Sequence, residues 1–352
     1  MKVIVMTGGG SSGHVTPNIA LIPKLKQLEY EIHYVGSKNG IEKKLIEKIG
    51  IHYHAINTGK LRRYWDFKNF TDMFRVIDGF REAIFVLTKL KPDIVFSKGG
   101  FVSCPVVWAA RLKRIPVVIH ESDMTPGLTN KLSMPFAKKV CYTFPESGVH
   151  IPKDKGILTG IPIREEILQG NKKIGRKICG FTETKLVLMV IGGSQGSENI
   201  NNIVRQSLTG LLKEFQVCHI CGSGNKSDEY EGIQGYQQFE YINEEQPHIF
   251  AMADIVVSRA GATTLFEILA LRKPNLLIPL SRNASRGDQI LNAQSFKNQG
   301  FSGLLFEEQL TKDSFANSIM EVYCNKDKYI STMDAGNNNN AIKSVLGVIE
   351  NI

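Results

Sequence analysis

No stretch of this sequence approaches the length and apolarity of a membrane span, and the opening Lys2-Val3-Ile4-Val5-Met6 starts a strand at once. The charged leader, long apolar run and small-residue cleavage site of a secretory signal are missing there, so the expected location is cytosolic. Cysteine is sparse, six in 352 residues, and Cys218-His219-Ile220-Cys221 is the only close pair. With no second pair it completes no zinc site, and the thiols read as reduced core residues. No two aspartates form an Asp-x-Asp element, a common carboxylate pair for a divalent cation. Acidic residues are the minority charge, 34 against 43 Lys and Arg. The resulting formal +9 favours anionic partners: nucleic acid, acidic lipid headgroups or phosphorylated small molecules.

The 42% hydrophobic content excludes disorder, and 352 residues exceed what one core usually organises, so two domains are expected. Short β-branched runs alternate with amphipathic stretches, the pattern of βαβ units on a parallel sheet. Expected strands are Val3–Thr7, Ile32–Gly36, His52–Ile56, Asp93–Ser97, Val117–His120 and Val140–Phe144, then Lys185–Ile191, Phe215–Ile220, Gln238–Ile242, Asp254–Ser258 and Asn275–Pro279. Between the two series, the polar, turn-rich stretch Gly160–Gly180 reads as a linker. The fold class is α/β, with Rossmann-like domains over residues 1–160 and 161–335. Asn337–Asn340 reads as a loop, and the amphipathic helix 341–352 is expected to complete the first domain.

Both halves open with one device, a strand running into glycines: Gly8-Gly9-Gly10-Ser11-Ser12-Gly13 and Gly192-Gly193-Ser194-Gln195-Gly196. Such a loop before a helix brings backbone N–H groups to an anion at the positive end of the helix dipole, so phosphate or diphosphate is the implied ligand. Gly8, Gly10 and Gly13 also satisfy the dinucleotide spacing, but the second strand ends Gly36-Ser37-Lys38, without the acid that NAD requires; a 2′-phosphate on Ser37 and Lys38 stays open.

Ser258-Arg259-Ala260-Gly261-Ala262-Thr263-Thr264-Leu265-Phe266-Glu267 follows an expected buried strand, with small residues where a diphosphate would sit, threonines suited to cap a helix, and Glu267 placed to accept hydrogen bonds from ribose hydroxyls. An Arg259–Glu267 surface ion pair is the plainer alternative. His120-Glu121-Ser122-Asp123 ends a strand before Thr125–Lys131, as a ligand-facing group or a local capping cluster. His14, at the start of the first helix, is placed for the dipole to keep its imidazole neutral and able to act as a base. In the polar stretch Arg282–Ala293, Asp288 and Gln289 are candidates for sugar hydroxyls.

Taken together, Gly13-His14, Lys98-Gly99-Gly100-Phe101-Val102-Ser103, His120–Asp123 with Pro126–Lys131, Gly192–Gly196, Ser258–Glu267 and Gly287–Ala293 make the whole chain resemble the MurG family of bacterial UDP-N-acetylglucosamine transferases. The resemblance implies the GT-B architecture, two Rossmann-like domains facing a cleft. It implies inverting transfer to the C4 hydroxyl of a lipid-linked N-acetylmuramyl-pentapeptide acceptor at the inner membrane surface, with no metal or other cofactor. Donor contacts implied are Arg164, Ser194, Gln195, Ile242, Arg259, Ala262, Thr263, Thr264, Leu265, Glu267, Asp288 and Gln289; acceptor contacts are Ser11, Ser12, Gly13, Gly99, Gly100, Asp123 and Asn130. His14 and Glu121 are the candidate catalytic groups. Phe101 stands where many relatives carry tyrosine, and Asp123 and Ser285–Gln289 resemble a Gram-positive branch.

Lys60, Arg62, Arg63 and Trp65 mix charge and aromatic surface as a membrane contact requires, and residues 70–91 after them look amphipathic. Anionic membrane and cell-wall synthesis proteins are thus expected partners, nucleic acid is not. A UDP-N-acetylglucosamine 2-epimerase, a glycolipid-forming transferase and a silent nucleotide-sugar binder are the competing functions.

Overall fold

The computed structural model describes residues 1–59, 68–193, 195–281, 287–336 and 340–352, with side chains from residue 75 onward in the helix that begins at Lys68. The chain divides into two compact units, Met1–Arg164 with Asn340–Ile352, and Glu165–Asn339.

Unit 1 carries seven parallel strands: β1 Lys2–Thr7, β2 Tyr30–Ser37, β3 His52–Ile56, β4 Ile94–Ser97, β5 Val117–Glu121, β6 Lys139–Tyr142 and β7 Gly156–Leu158. Their order is β3-β2-β1-β4-β5-β6-β7. Alternation along β1 sends Ile4 and Met6 to one face, against Leu21 and Leu25 of the helix Thr16–Gln27 and Val345 and Ile349 of the helix Ala341–Glu350. Val5 points the other way, onto Ala83 and Leu87 of the helix Lys68–Leu90 and Val106 of the helix Ser103–Leu112. Both faces are covered, which is why these strands read as nearly continuous apolar runs.

Unit 2 repeats the plan with six parallel strands: β8 Leu186–Ile191, β9 Phe215–Ile220, β10 Tyr236–Phe239, β11 Ile255–Ser258, β12 Asn275–Leu277 and β13 Gly303–Leu304. The order is β10-β9-β8-β11-β12-β13. Leu188, Val190 and Val257 form its core with Val204, Phe215, Phe315 and Ile319.

Several expectations shift. The strand expected at Gln238–Ile242 runs two residues earlier, and that expected at Asn275–Pro279 ends at Leu277. The strands β7 and β13, three and two residues long, were not expected. The stretch Gly160–Gly180 is not a plain linker, because it holds a 3-10 turn at Glu165–Gln169 and a helix at Lys172–Cys179. Asn171 caps that helix by accepting from the amides of Lys173 and Ile174, and Gly180 ends it at φ +66°. The helix spans only eight residues and is mostly polar, and of them only Gly175, Arg176 and Cys179 are buried. Of the asparagine run, residues 337–339 lie outside the described residues, and Asn340 starts the last helix.

Candidate functional site

In each sheet the strand order reverses once, between β1 and β4 and between β8 and β11. A parallel sheet opens a crevice at the carboxyl ends of such a pair. The glycine loops singled out in the sequence leave β1 and β8, at those two points.

In unit 1 the loops after β1 and β4 pack directly on each other. The Gly9 amide donates to Gly99 O at 3.3 Å. Gly100 has φ +83°, and a Cβ there would stand 2.0 Å from Gly9 O, so no larger residue fits. Tyr34 braces the loop from below, its hydroxyl donating to Gly8 O at 2.6 Å while Asn18 Nδ2 donates to Tyr34 at 3.1 Å. Ser11 begins a 3-10 turn, Ser12–His14, and makes no side-chain cap. His14 is thus the last residue of that turn, two positions before the helix Thr16–Gln27, and is half-buried.

Glu121 ends β5 with 3% of its surface exposed. Both carboxylate oxygens are occupied: Oε1 accepts from the amides of Ser122 at 2.8 Å and Asp123 at 3.0 Å, Oε2 from the Gly127 amide at 3.1 Å and Asn130 Nδ2 at 2.8 Å. All four of these donors come from the segment that follows the strand, so both oxygens are committed to holding that segment. The geometry makes it the clamp of the loop that carries Asp123 and Asn130. Asn130 in turn reaches Gly99, whose Cβ position lies 3.0 Å from Asn130 Oδ1. Gly9, Gly99, Asn130 and Glu121 are thereby one connected group.

Two buried bases at this edge, Lys98 and His120, lie in segments the sequence singled out but were given no role of their own. Lys98, at the end of β4, bonds the Ser122 hydroxyl through Nζ; burial pushes its pKa down to about 8, against the opposing charges of Glu121 and Asp123. His120 is fully buried and donates from Nε2 to Gly160 O at 2.8 Å. Burial, and after it the Lys98 charge, hold its pKa well below the ordinary imidazole value, so it stays neutral.

Glu42, in the first turn of the helix Ile41–Lys48, was also missed. Its carboxylate is fully buried and accepts from the Ser37 amide at 3.0 Å, the Ser37 hydroxyl and the Gly10 amide at 3.3 Å. Lys38 pairs with Glu82 at 3.3 Å. A 2′-phosphate on Ser37 would meet the buried Glu42 carboxylate, and that overturns the 2′-phosphate reading of this strand end.

In unit 2, the helix Ala262–Ala270 follows β11 through Arg259, Ala260 and Gly261. Its N-cap is Gly261, with no side-chain cap, so the threonines do not cap it as expected. The first helical bond runs from the Leu265 amide to Gly261 O, leaving the amides of Ala262, Thr263 and Thr264 ahead of it at the positive end of the helix. Leu265, Ala262 and Ile242 are buried, so they can offer a ligand little beyond backbone. Glu267 is buried and accepts from Gln246 Nε2 at 3.5 Å, which adds Gln246 to the candidate donor residues.

Arg259 departs from expectation. Its guanidinium turns inward and donates to Ile278 O and Pro279 O, both at 3.1 Å, to Ser197 Oγ at 2.5 Å and to Glu307 Oε1 at 2.5 Å. It is neither a surface partner of Glu267 nor placed for a ligand, but ties together the chain after β8, β11 and β12. Burial alone would raise the Glu307 carboxyl; hydrogen bonds from Arg259 and Asn199 outweigh it and hold the pKa below the ordinary value.

The remaining residues are placed as follows. Gln195 is exposed, its carbonyl accepting from Asn225 Nδ2 at 3.2 Å. Gln289 Oε1 accepts from the Leu280 amide at 3.0 Å, and Asp288 opens the helix Asp288–Asn298 beside it. Arg164 is the last residue of unit 1 rather than part of unit 2. Ser194, residues 282–286, Lys60, Arg62, Arg63 and Trp65 lie outside the described residues. On the helix Lys68–Leu90, Ile77, Arg81 and Phe85 form one exposed stripe at four-residue spacing, Phe85 with 71% of its surface open. Among the described residues no helix is long and apolar enough to cross a membrane.

The glycosyltransferase family 28 N-terminal domain matches residues 4–142, and the corresponding C-terminal domain matches residues 187–346. A relative from Clostridium tetani is 56% identical over 349 residues, covering 99% of this chain and 98% of its own. One from Lachnoclostridium phytofermentans is 55% identical over 352 residues, covering 100% and 99%. Both are named UDP-N-acetylglucosamine--N-acetylmuramyl-(pentapeptide) pyrophosphoryl-undecaprenol N-acetylglucosamine transferase. Among solved structures, Acinetobacter baumannii MurG superposes with a TM-score of 0.75 at 23% identity, covering 100% of this chain and 99% of that one. A Neisseria meningitidis UDP-GlcNAc 2-epimerase bound to UDP-GlcNAc gives 0.68 at 16% identity, with both chains fully covered. At those identities the two structures speak for the fold alone.

Proposed function

The chain belongs to glycosyltransferase family 28, and from that membership we propose that it transfers N-acetylglucosamine from UDP-N-acetylglucosamine to the C4 hydroxyl of N-acetylmuramyl-pentapeptide pyrophosphoryl-undecaprenol. The observation that carries this reading is the likeness, above half identity over the full chain, to transferases of that name. The 2-epimerase shares only the fold.

Unit 2 is suited to the donor. The open amides of Ala262, Thr263 and Thr264 match a diphosphate, and the recessed Glu267 carboxylate matches vicinal ribose hydroxyls. Ser194, Gln195, Ile242, Gln246, Asp288 and Gln289 complete the proposed set, with Arg164 contributing charge to the leaving diphosphate. Unit 1 takes the acceptor, through Ser11, Ser12 and Gly13 after β1 and through the Gly99, Gly100, Asp123 and Asn130 group. Inversion is a single displacement, needing one base for the hydroxyl proton and a stabilised leaving group. His14 is the base, since Glu121 is engaged by four donors. Helix amides and arginine balance the diphosphate charge, so the reaction proceeds without metal.

The protein works at the cytoplasmic face of the membrane as a peripheral enzyme. The exposed Ile77, Arg81 and Phe85 stripe supports this, apolar groups entering the interface and the cation meeting anionic headgroups. Incubation with labelled UDP-N-acetylglucosamine in a chelator, with the lipid-linked muramyl acceptor, with diacylglycerol or with neither, tests the reading. Label must pass to the muramyl lipid only. Label in diacylglycerol, or formation of N-acetylmannosamine without acceptor, would replace this function with one of its competitors.

A further inference from the structure

We propose that the Glu42 carboxylate is a built-in anion: it occupies, in place of a phosphate, the pocket between the first glycine loop and the end of β2, and so positions the loop that meets the acceptor. Three donors converge on its two oxygens, the Gly10 and Ser37 amides and the Ser37 hydroxyl. The neighbouring backbone is cleared for it. A Cβ on Gly9 would lie 2.6 Å from the carboxyl carbon, and one on Gly40 2.2 Å from its oxygens. The walls are fixed by phenols: Tyr53 OH donates to Ser37 O at 2.6 Å and Tyr34 OH to Gly8 O at 2.6 Å. Burial, and after it for Tyr53 the Glu42 charge, pushes the Tyr53 pKa far up, and burial does the same at Tyr34, so both stay protonated donors.

A glycine loop after the first strand of such a sheet ordinarily meets a ligand phosphate with its amides. Here the chain supplies that charge itself at Gly10, and the acceptor diphosphate is left to the amides beyond it, at Ser12 and Gly13. The consequence for the acceptor rests on the transferase reading above; the occupancy of the pocket does not.

Glu42→Ala vacates the pocket, and formate is the probe that refills it. The variant should show an acceptor KM raised about ten- to a hundredfold with the donor KM within about twofold. Formate should restore the acceptor KM and raise the variant's thermal midpoint, with neither effect on the unsubstituted protein. Glu42→Gln keeps the shape but points an amide NH2 at a donor; it should share the acceptor defect and resist rescue, because the pocket is full. An unchanged acceptor KM in either variant, equal rises in both KM values, or a defect in Glu42→Ala that formate does not relieve would overturn the proposal. If Glu42→Ala does not fold, Glu42→Gln alone decides it. Failure of the unsubstituted protein to turn over the muramyl lipid would instead refute the transferase reading, and the formate-dependent thermal shift would still test the pocket.

Discussion

Replacing Glu121 with alanine separates two roles that the sequence alone leaves open. In the folded chain the carboxylate takes four hydrogen bonds, from Ser122, Asp123, Gly127 and Asn130, at 2.8–3.1 Å. Each bond to a charged acceptor is worth about 1.5–3 kcal/mol, but all four belong to one loop that can relax toward water, so they do not add. A loss of about 3–5 kcal/mol, that of two or three neutral donors left unsatisfied at about 1–3 kcal/mol each, is expected. Both tryptophans, Trp65 and Trp108, precede Arg164, so tryptophan fluorescence, excited selectively over tyrosine, follows the unfolding of unit 1. With a urea dependence of about 2 kcal/mol per molar, the midpoint should fall by about 2 M. Under conditions where the variant remains folded, its acceptor KM should rise while its donor KM holds. His14→Ala should do the opposite, keeping the midpoint and lowering kcat by about a hundredfold. A Glu121→Ala protein that unfolds at the unsubstituted midpoint yet loses kcat would refute this reasoning and make Glu121 the base.

Glu267→Ala should raise the donor KM about ten- to a hundredfold with kcat little changed, because the ribose loses a charged acceptor; steady-state kinetics with unaltered donor affinity would remove Glu267 from the site. Arg259→Met leaves the partly buried Glu307 without its cation and should cost about 3 kcal/mol, read in far-ultraviolet melting, whereas a pure donor-affinity loss at full stability would return Arg259 to the ligand. Lys98 titrates at about 8 in the folded chain against an ordinary value of 10.5, so between those values the unfolded chain binds the extra proton and stability rises with pH. The stability of the unsubstituted protein relative to Lys98→Met should therefore climb by up to about 3 kcal/mol from pH 8 to 10.5, and a flat difference in urea titrations would show that the amine is not desolvated.

The architecture was legible because its signals are local. Val3–Thr7 and Lys185–Ile191 are apolar, run into glycines and precede helices, and the structure sets both loops at the reversal points of their sheets. What the sequence hid depends on long-range contacts. Arg259 and Glu307 stand 48 residues apart, and nothing near either in the chain marks the other as its partner. An acid was sought at Gly36-Ser37-Lys38; it comes from Glu42, on the next helix, folded back onto Ser37 and Gly10. Glu121 read equally as a ligand-facing group or as part of a local capping cluster; the amides of Ser122, Asp123 and Gly127 turn back onto it, as the second reading has it. The helix Lys172–Cys179 is two turns long and rich in lysine and arginine, so its three apolar residues Ile174, Ile178 and Cys179 were read as part of a polar linker.

The claim that most needs a direct test is that this chain forms an inverted linkage to one hydroxyl of the muramyl sugar. Nuclear magnetic resonance of the disaccharide released from the lipid product of a metal-free reaction reads both features at once. A β-configured N-acetylglucosamine correlated through its anomeric carbon to C4 of N-acetylmuramic acid is the predicted result. An α linkage, attachment at another hydroxyl, or no disaccharide with intact donor and acceptor present would contradict it.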